Sequence, residues 1–112
     1  MRNIKVYLTD ILDEIDKAKL FIKGINFKQF EKDDKTQYAV IRCLEIIGEA
    51  SKKIPNTIKQ KYSDVPWKEI SCMRNKLIHE YFGINILMVW KTIKKDLPPL
   101  KKIILQIIKE ES

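Results

Sequence analysis

The stretch from Arg74 to Tyr81, closed by Phe82-Gly83, holds the chain's only histidine and sets it among an arginine, an asparagine and a tyrosine. On an α-helix at 100° per residue, Tyr81 returns to within about 20° of Arg74 and His79 lies about 40° from Asn75, so the four share a sector of roughly 160°. Ile70, Met73 and Leu77 fall on the adjoining face, as a core-facing stripe does, which leaves the polar sector looking for a partner. A guanidinium grips phosphate through its planar fork and stays charged at any working pH. An imidazole titrates near neutrality and can take or give a proton. If the ligand is RNA, His79 accepts the 2′-hydroxyl proton or donates one to the leaving 5′-oxygen, and Asn75 orients the imidazole or the phosphate. The product end is then a 2′,3′-cyclic phosphate. That chemistry needs no metal, and the sequence offers no ligand cluster for one.

The residue types alone do not decide for catalysis, because a single histidine near a helix C-terminus is more often a partner of the helix dipole. There is also a shortage: acid–base cleavage uses two proton-transfer groups, and each chain owns one histidine. A two-fold pair with its polar sectors facing each other supplies two His79 and two Arg74 in one cleft, and explains apolar residues left open around the motif. A homodimer is therefore expected.

The elements that must hold this sector are helical. Ile4, Tyr7, Leu8, Ile11, Leu12, Ile15, Ala18 and Ile22 repeat with a 3.6-residue period, which predicts a first helix from Ile4 to about Lys23, stopped by Gly24. Phe27 to Phe30 suits a short turn, and Asp33 or Asp34 offers a cap for a second long helix from about Lys35 to Lys53, ended by Ile54-Pro55. That helix has an apolar face of Tyr38, Ile41, Leu44, Ile46, Ile47 and Ala50. Arg42, Glu45 and Glu49 form a charged stripe flanking it, read either as an intrahelical ion pair or as support for the Arg74 sector, with Gly48 allowing close approach. Asn56 to Tyr62 makes one or two turns. Ser63-Asp64-Val65-Pro66-Trp67 leads into the motif helix with a capping residue, a proline in the first turn and Trp67 as a core anchor; Gly83 ends it. A further apolar helix runs through Ile84, Ile86, Leu87, Val89, Trp90 and Ile93 and ends before Pro98-Pro99, and a last one spans about Leu100 to Glu110. Together these predict an all-α, antiparallel bundle of four to six helices in one domain, residues 1–112.

Composition agrees. The chain has 45% hydrophobic residues with only 3 Gly and 4 Pro, enough for a core and little turn chemistry for strands. Its formal charge of +7, from 22 basic and 15 acidic residues, favours a polyanionic or acidic partner. Cys43 and Cys72 sit in apolar patterns without metal-ligand spacing and are expected as core residues in a reducing cytosol. No run reaches the roughly 20 apolar residues that span a bilayer, and no secretory signal is visible. A cytoplasmic protein without membrane contact is expected.

Arg-x4-His-x-Tyr at Arg74, His79 and Tyr81 resembles the HepT-like branch of the HEPN superfamily, the toxin halves of HEPN/minimal-nucleotidyltransferase pairs. The likeness extends to the run from Ala39 to Ala50, then Val65-Pro66-Trp67, Tyr81-Phe82-Gly83 and Leu97-Pro98, in the family's order. It implies a HEPN-like helical bundle and the toxin component of a type VII-like toxin–antitoxin pair. The activity implied is metal-independent endoribonucleolytic cleavage in a cleft at a dimer interface, with Arg74, Asn75 and His79 as catalytic residues and Arg42, Glu45 and Glu49 as support. It also implies that a cognate minimal nucleotidyltransferase, the antitoxin, silences the toxin by moving AMP from ATP onto Tyr81. ATP then serves the partner enzyme, and this chain needs no cofactor. Two other readings remain open: a non-catalytic accessory subunit that docks a nucleotidyltransferase and presents its substrate, and a basic RNA- or DNA-binding bundle without chemistry.

Overall fold

The computed structural model describes residues 3–79 and 85–111, with side chains for all of these except 74–79. The first helix, α1 (Ile4–Phe21), starts where the Asn3 side chain accepts the Lys5 N–H at 2.9 Å and buries Leu8, Ile11, Ile15 and Ala18. It stops two residues short of the expected Lys23. Gly24 then turns the chain at φ +79°; no atom lies within 4 Å of where its Cβ would stand, so glycine is required by backbone conformation rather than by space.

The short α2 (Phe27–Glu31) is held by reciprocal bonds between Asn26 and Gln29, both 2.9 Å. Asp33 caps α3 (Asp34–Lys52): its carboxylate accepts from the Thr36 N–H at 3.0 Å and the Thr36 hydroxyl at 2.6 Å. These bonds, the hydroxyl's first, hold the Asp33 carboxyl below its ordinary pKa. The Gln37 amide stitches α2 to α3 by donating to the Phe30 and Glu31 carbonyls at 2.9 Å each. Then follow α4 (Asn56–Lys61) and the motif helix α5 (Trp67–His79).

The last part of the chain departs from expectation. Helix α6 (Ile86–Lys91) does not end before the prolines; it passes through a π turn at Thr92–Asp96 straight into α7 (Leu97–Glu110). Pro98 lacks an N–H, and in a plain α-helix its ring would collide with the carbonyl four residues back. The wider turn, closed by the Leu97 N–H on the Thr92 carbonyl, relaxes that crowding and puts Pro98 in the first turn of α7, where a missing donor costs nothing. With 86–110 taken as one rod, the described residues form six helices and no strand.

Helix α3 is central, packed on α1 and on α5, while α7 covers α1. Leu8, Ile11, Val40, Leu44, Ile47, Ile104 and Ile107 make the dry centre. A satellite of rings, with Phe27 and Phe30 at 6.0 and 5.2 Å from Trp90, seats α2 against α6. The result is an all-α helical bundle, as the periodicity predicts. Among the described residues no helix is long and apolar enough to cross a membrane.

Two residues expected inside are outside. Tyr38 is 66% exposed: the buried stripe of α3 starts at Val40, and Tyr38 lies about 160° around the helix from it. Cys72 is exposed, whereas Cys43 is buried as expected.

Candidate active site on the fifth helix

The lead-in to α5 is built tightly. Val65 and Trp67 are buried, the Trp67 indole N–H donates to the Tyr62 carbonyl at 3.1 Å, and the Trp67 N–H to the Val65 carbonyl at 2.8 Å. Pro66 stands just before the first helical residue rather than inside the first turn, and its carbonyl accepts the Ile70 N–H at 3.1 Å. Trp67 is thus the anchor its size predicts.

Tyr62 has a second job. Its hydroxyl donates to the carboxylates of Glu110 and Glu111 at 3.1 and 3.0 Å, and Lys61 donates to Glu111 at 2.7 Å. Burial, followed by the bonds to the two glutamates, raises the Tyr62 pKa above its ordinary value, and the Lys61 ammonium lowers that of Glu111. This cluster ties the end of α7 to the segment that aims α5.

Along α5 the face turned inward is the expected one: Ile70 is buried and Met73 half-buried. Positions 74, 75 and 79 all lie on α5. Arg74, Asn75 and His79 therefore occupy consecutive turns of one helix, as their spacing predicts; their side chains, like Tyr81 and the expected stop at Gly83, lie outside the described residues.

Helix α3 packs on α5, and Gly48 of α3 is buried. With Val40 and Ile47 marking the core side, however, Arg42, Glu45 and Glu49 lie on the opposite side of α3, within about 40° of diametrically across, rather than flanking the apolar face. Arg42 projects into solvent and meets Glu45 at 4.0 Å, a weak surface pair. Glu45 and Glu49 are half-buried.

One feature of α5 was not legible from the motif. The hydroxyl oxygen of Ser71, one turn ahead of Asn75, is buried with no hydrogen-bond partner. Such a group costs about 1–3 kcal/mol, and no periodicity rule singles out a serine among apolar neighbours.

The sequence matches the model of the family described as "Ribonuclease HepT-like" over residues 11–107, a span that contains the whole of α5. It is 52% identical over 100 residues to "Probable ribonuclease HepT" of Thermococcus cleftensis, covering 89% of this chain and 91% of that protein. It is 48% identical over 109 residues to "Putative RNase MJ1216" of Methanocaldococcus jannaschii, covering 97% and 90%. Over 111 residues it is 47% identical to "Putative RNase TTE0752" of Caldanaerobacter subterraneus, covering 99% of each. No solved structure matches the chain.

Proposed function

The chain belongs to the HepT-like ribonuclease family of HEPN toxins, and from that premise we propose that it is a metal-independent endoribonuclease whose cleft forms between two copies. The observation that carries the reading is the family match over 11–107 together with the fall of the one histidine on α5, a turn after Asn75 and five residues after Arg74.

In this reading the 2′-oxygen of the RNA attacks phosphorus while one His79 takes its proton. The bond to the 5′-oxygen breaks as the second copy's imidazole protonates the leaving group. The products are a 2′,3′-cyclic phosphate and a 5′-hydroxyl. Arg74 holds the non-bridging oxygens, where charge gathers in the transition state, and Asn75 orients what it touches. Supporting a pair, Leu87 and Met88 stand exposed on α6 shortly after residues 80–84, apolar surface that a second copy would cover. Arg42, Glu45 and Glu49 take a supporting role through the packing of α3 on α5.

Control falls to a cognate minimal nucleotidyltransferase. The Tyr81 oxygen attacks the α-phosphorus of ATP, pyrophosphate leaves, and the resulting phosphodiester puts bulk and negative charge beside Arg74, in the phosphate site. The first experiment is the intact mass of the chain expressed with and without the nucleotidyltransferase encoded beside it, paired with cleavage of RNA in EDTA. The expected outcome is cleavage by the free chain, a gain of one or more AMP units on co-expression, and no gain for Tyr81→Phe. A stably bound nucleotidyltransferase with no mass gain and no cleavage makes the chain an accessory subunit instead. A monodisperse monomer at micromolar concentration in light scattering sinks the shared cleft.

A further inference from the structure

Between the end of α1 and the rod of α6 and α7 runs an open groove of about 1030 Å³ that shares no residue with α5. Its floor is apolar, with Ile22, Ile93 and Leu97 buried at the bottom, while Leu20 and Leu105 stand 65% and 46% exposed along it. Five lysines rim it: Lys19 and Lys23 one turn apart on the α1 side, and Lys94, Lys101 and Lys102 on the other. Asp16 is the one acidic residue in the lining, and it is already bonded to the Lys101 ammonium at 2.7 Å. Lys94 is held 5.1 Å from the centre of the Trp90 ring. The rim is thus a band of net positive charge around exposed leucines.

We propose that this groove is the docking site for an acidic amphipathic helix of a partner protein. The apolar floor calls for an apolar stripe, and the lysines on both rims call for carboxylates on both flanks of that stripe. The run from Ile93 to Leu105 is about 18 Å long, which accommodates roughly three turns of helix. Charge opposes a second copy laid groove to groove, which would bring the same five-lysine rim up to this one. Nucleic acid fits the rim but not the floor: no aromatic ring lines the groove to stack a base, and exposed leucines gain nothing from a phosphate chain. A concave floor also suits a rod better than a flat bilayer. The proposal does not rest on the ribonuclease reading and stands or falls separately from it.

The test uses the full chain and a fluorescent, roughly 18-residue helical peptide with Leu at i, i+3, i+4 and i+7 and Glu on both flanks, with a Lys-flanked peptide of the same stripe as control. The expected result is binding by anisotropy with Kd on the order of 10 μM at low salt, weakening as salt rises, and no binding of the control. Amide shifts in a nitrogen-15 spectrum of the unaltered chain should map to the groove lining. Lys19→Glu with Lys102→Glu should weaken binding about tenfold or more while leaving melting and RNA cleavage unchanged. Equal binding of both peptides, shifts elsewhere, or an unchanged affinity in the double variant overturns the proposal. So does tighter capture of phosphatidylserine vesicles or of an oligoribonucleotide by the same lysines, which assigns the groove to a membrane or to RNA.

Discussion

Helices α3 and α5 pack on each other, and each carries one cysteine and at least one serine with an inward hydroxyl, but they use these residues in opposite ways. On α3 the thiol of Cys43 is 2% exposed; burial first, and the Glu14 carboxylate after it, push its pKa up to about 12. The buried Ser51 hydroxyl is satisfied within its own helix by the Ile47 carbonyl at 2.7 Å. On α5 Cys72 is exposed and the Ser71 hydroxyl is buried without a partner. One helix closes its polar groups on itself and gives the rest to the core. The other leaves one buried hydroxyl, that of Ser71, unanswered a turn before Asn75, the pattern expected where stability yields to function.

The contrast breaks most visibly with one substitution on each helix. His79→Ala should lower RNA cleavage about 10²–10⁴-fold with the melting curve unmoved, whereas Ile47→Ala, at a fully buried position, should cost about 2–5 kcal/mol of stability in a denaturant titration. If the two variants lose activity and stability together, α5 is a structural helix like α3. Alkylation sharpens the comparison next. Iodoacetamide at pH 8 should modify Cys72 about 100-fold faster than Cys43 or more, because Cys43 is a buried thiol with a raised pKa; peptide mass mapping reads both sites, and denaturant should bring the two rates together. The smallest effect compares the serines. Ser51→Ala should cost about 1 kcal/mol by removing a made bond, while Ser71→Ala should be neutral or stabilising by up to about 1 kcal/mol, both by thermal melting.

Much of this was legible in the sequence because the helices are amphipathic and well punctuated. Asp33, Gly24 and Ile54-Pro55 mark ends through capping, left-handed φ and proline sterics, and Trp67 could hardly lie anywhere but in the core. Tyr38 misled because it is apolar and lies within a helical pattern, yet the stripe that α1 selects begins two residues later; only the packing partner decides which apolar residues are inside. Pro98-Pro99 misled for a different reason. Proline stops an α-helix by crowding and by a lost donor, and a π turn ahead of it eases the first while a first-turn position removes the second. For the candidate site, spacing placed Arg74, Asn75 and His79 on one helix, and the helix is there. The lysine groove was illegible because its two rims are separated by some seventy residues and meet only when α1 and the α6–α7 rod come together.

Tyr62 joins what the chain order keeps apart. Its carbonyl receives the indole of Trp67 at the head of α5, and its hydroxyl reaches Glu110, 48 residues later. One residue thus fastens the head of the motif helix through its backbone and the end of α7 through its ring. Loss of the Glu110 and Glu111 carboxylates therefore removes a brace from the segment that leads into the helix carrying His79, at a distance from that histidine along the chain.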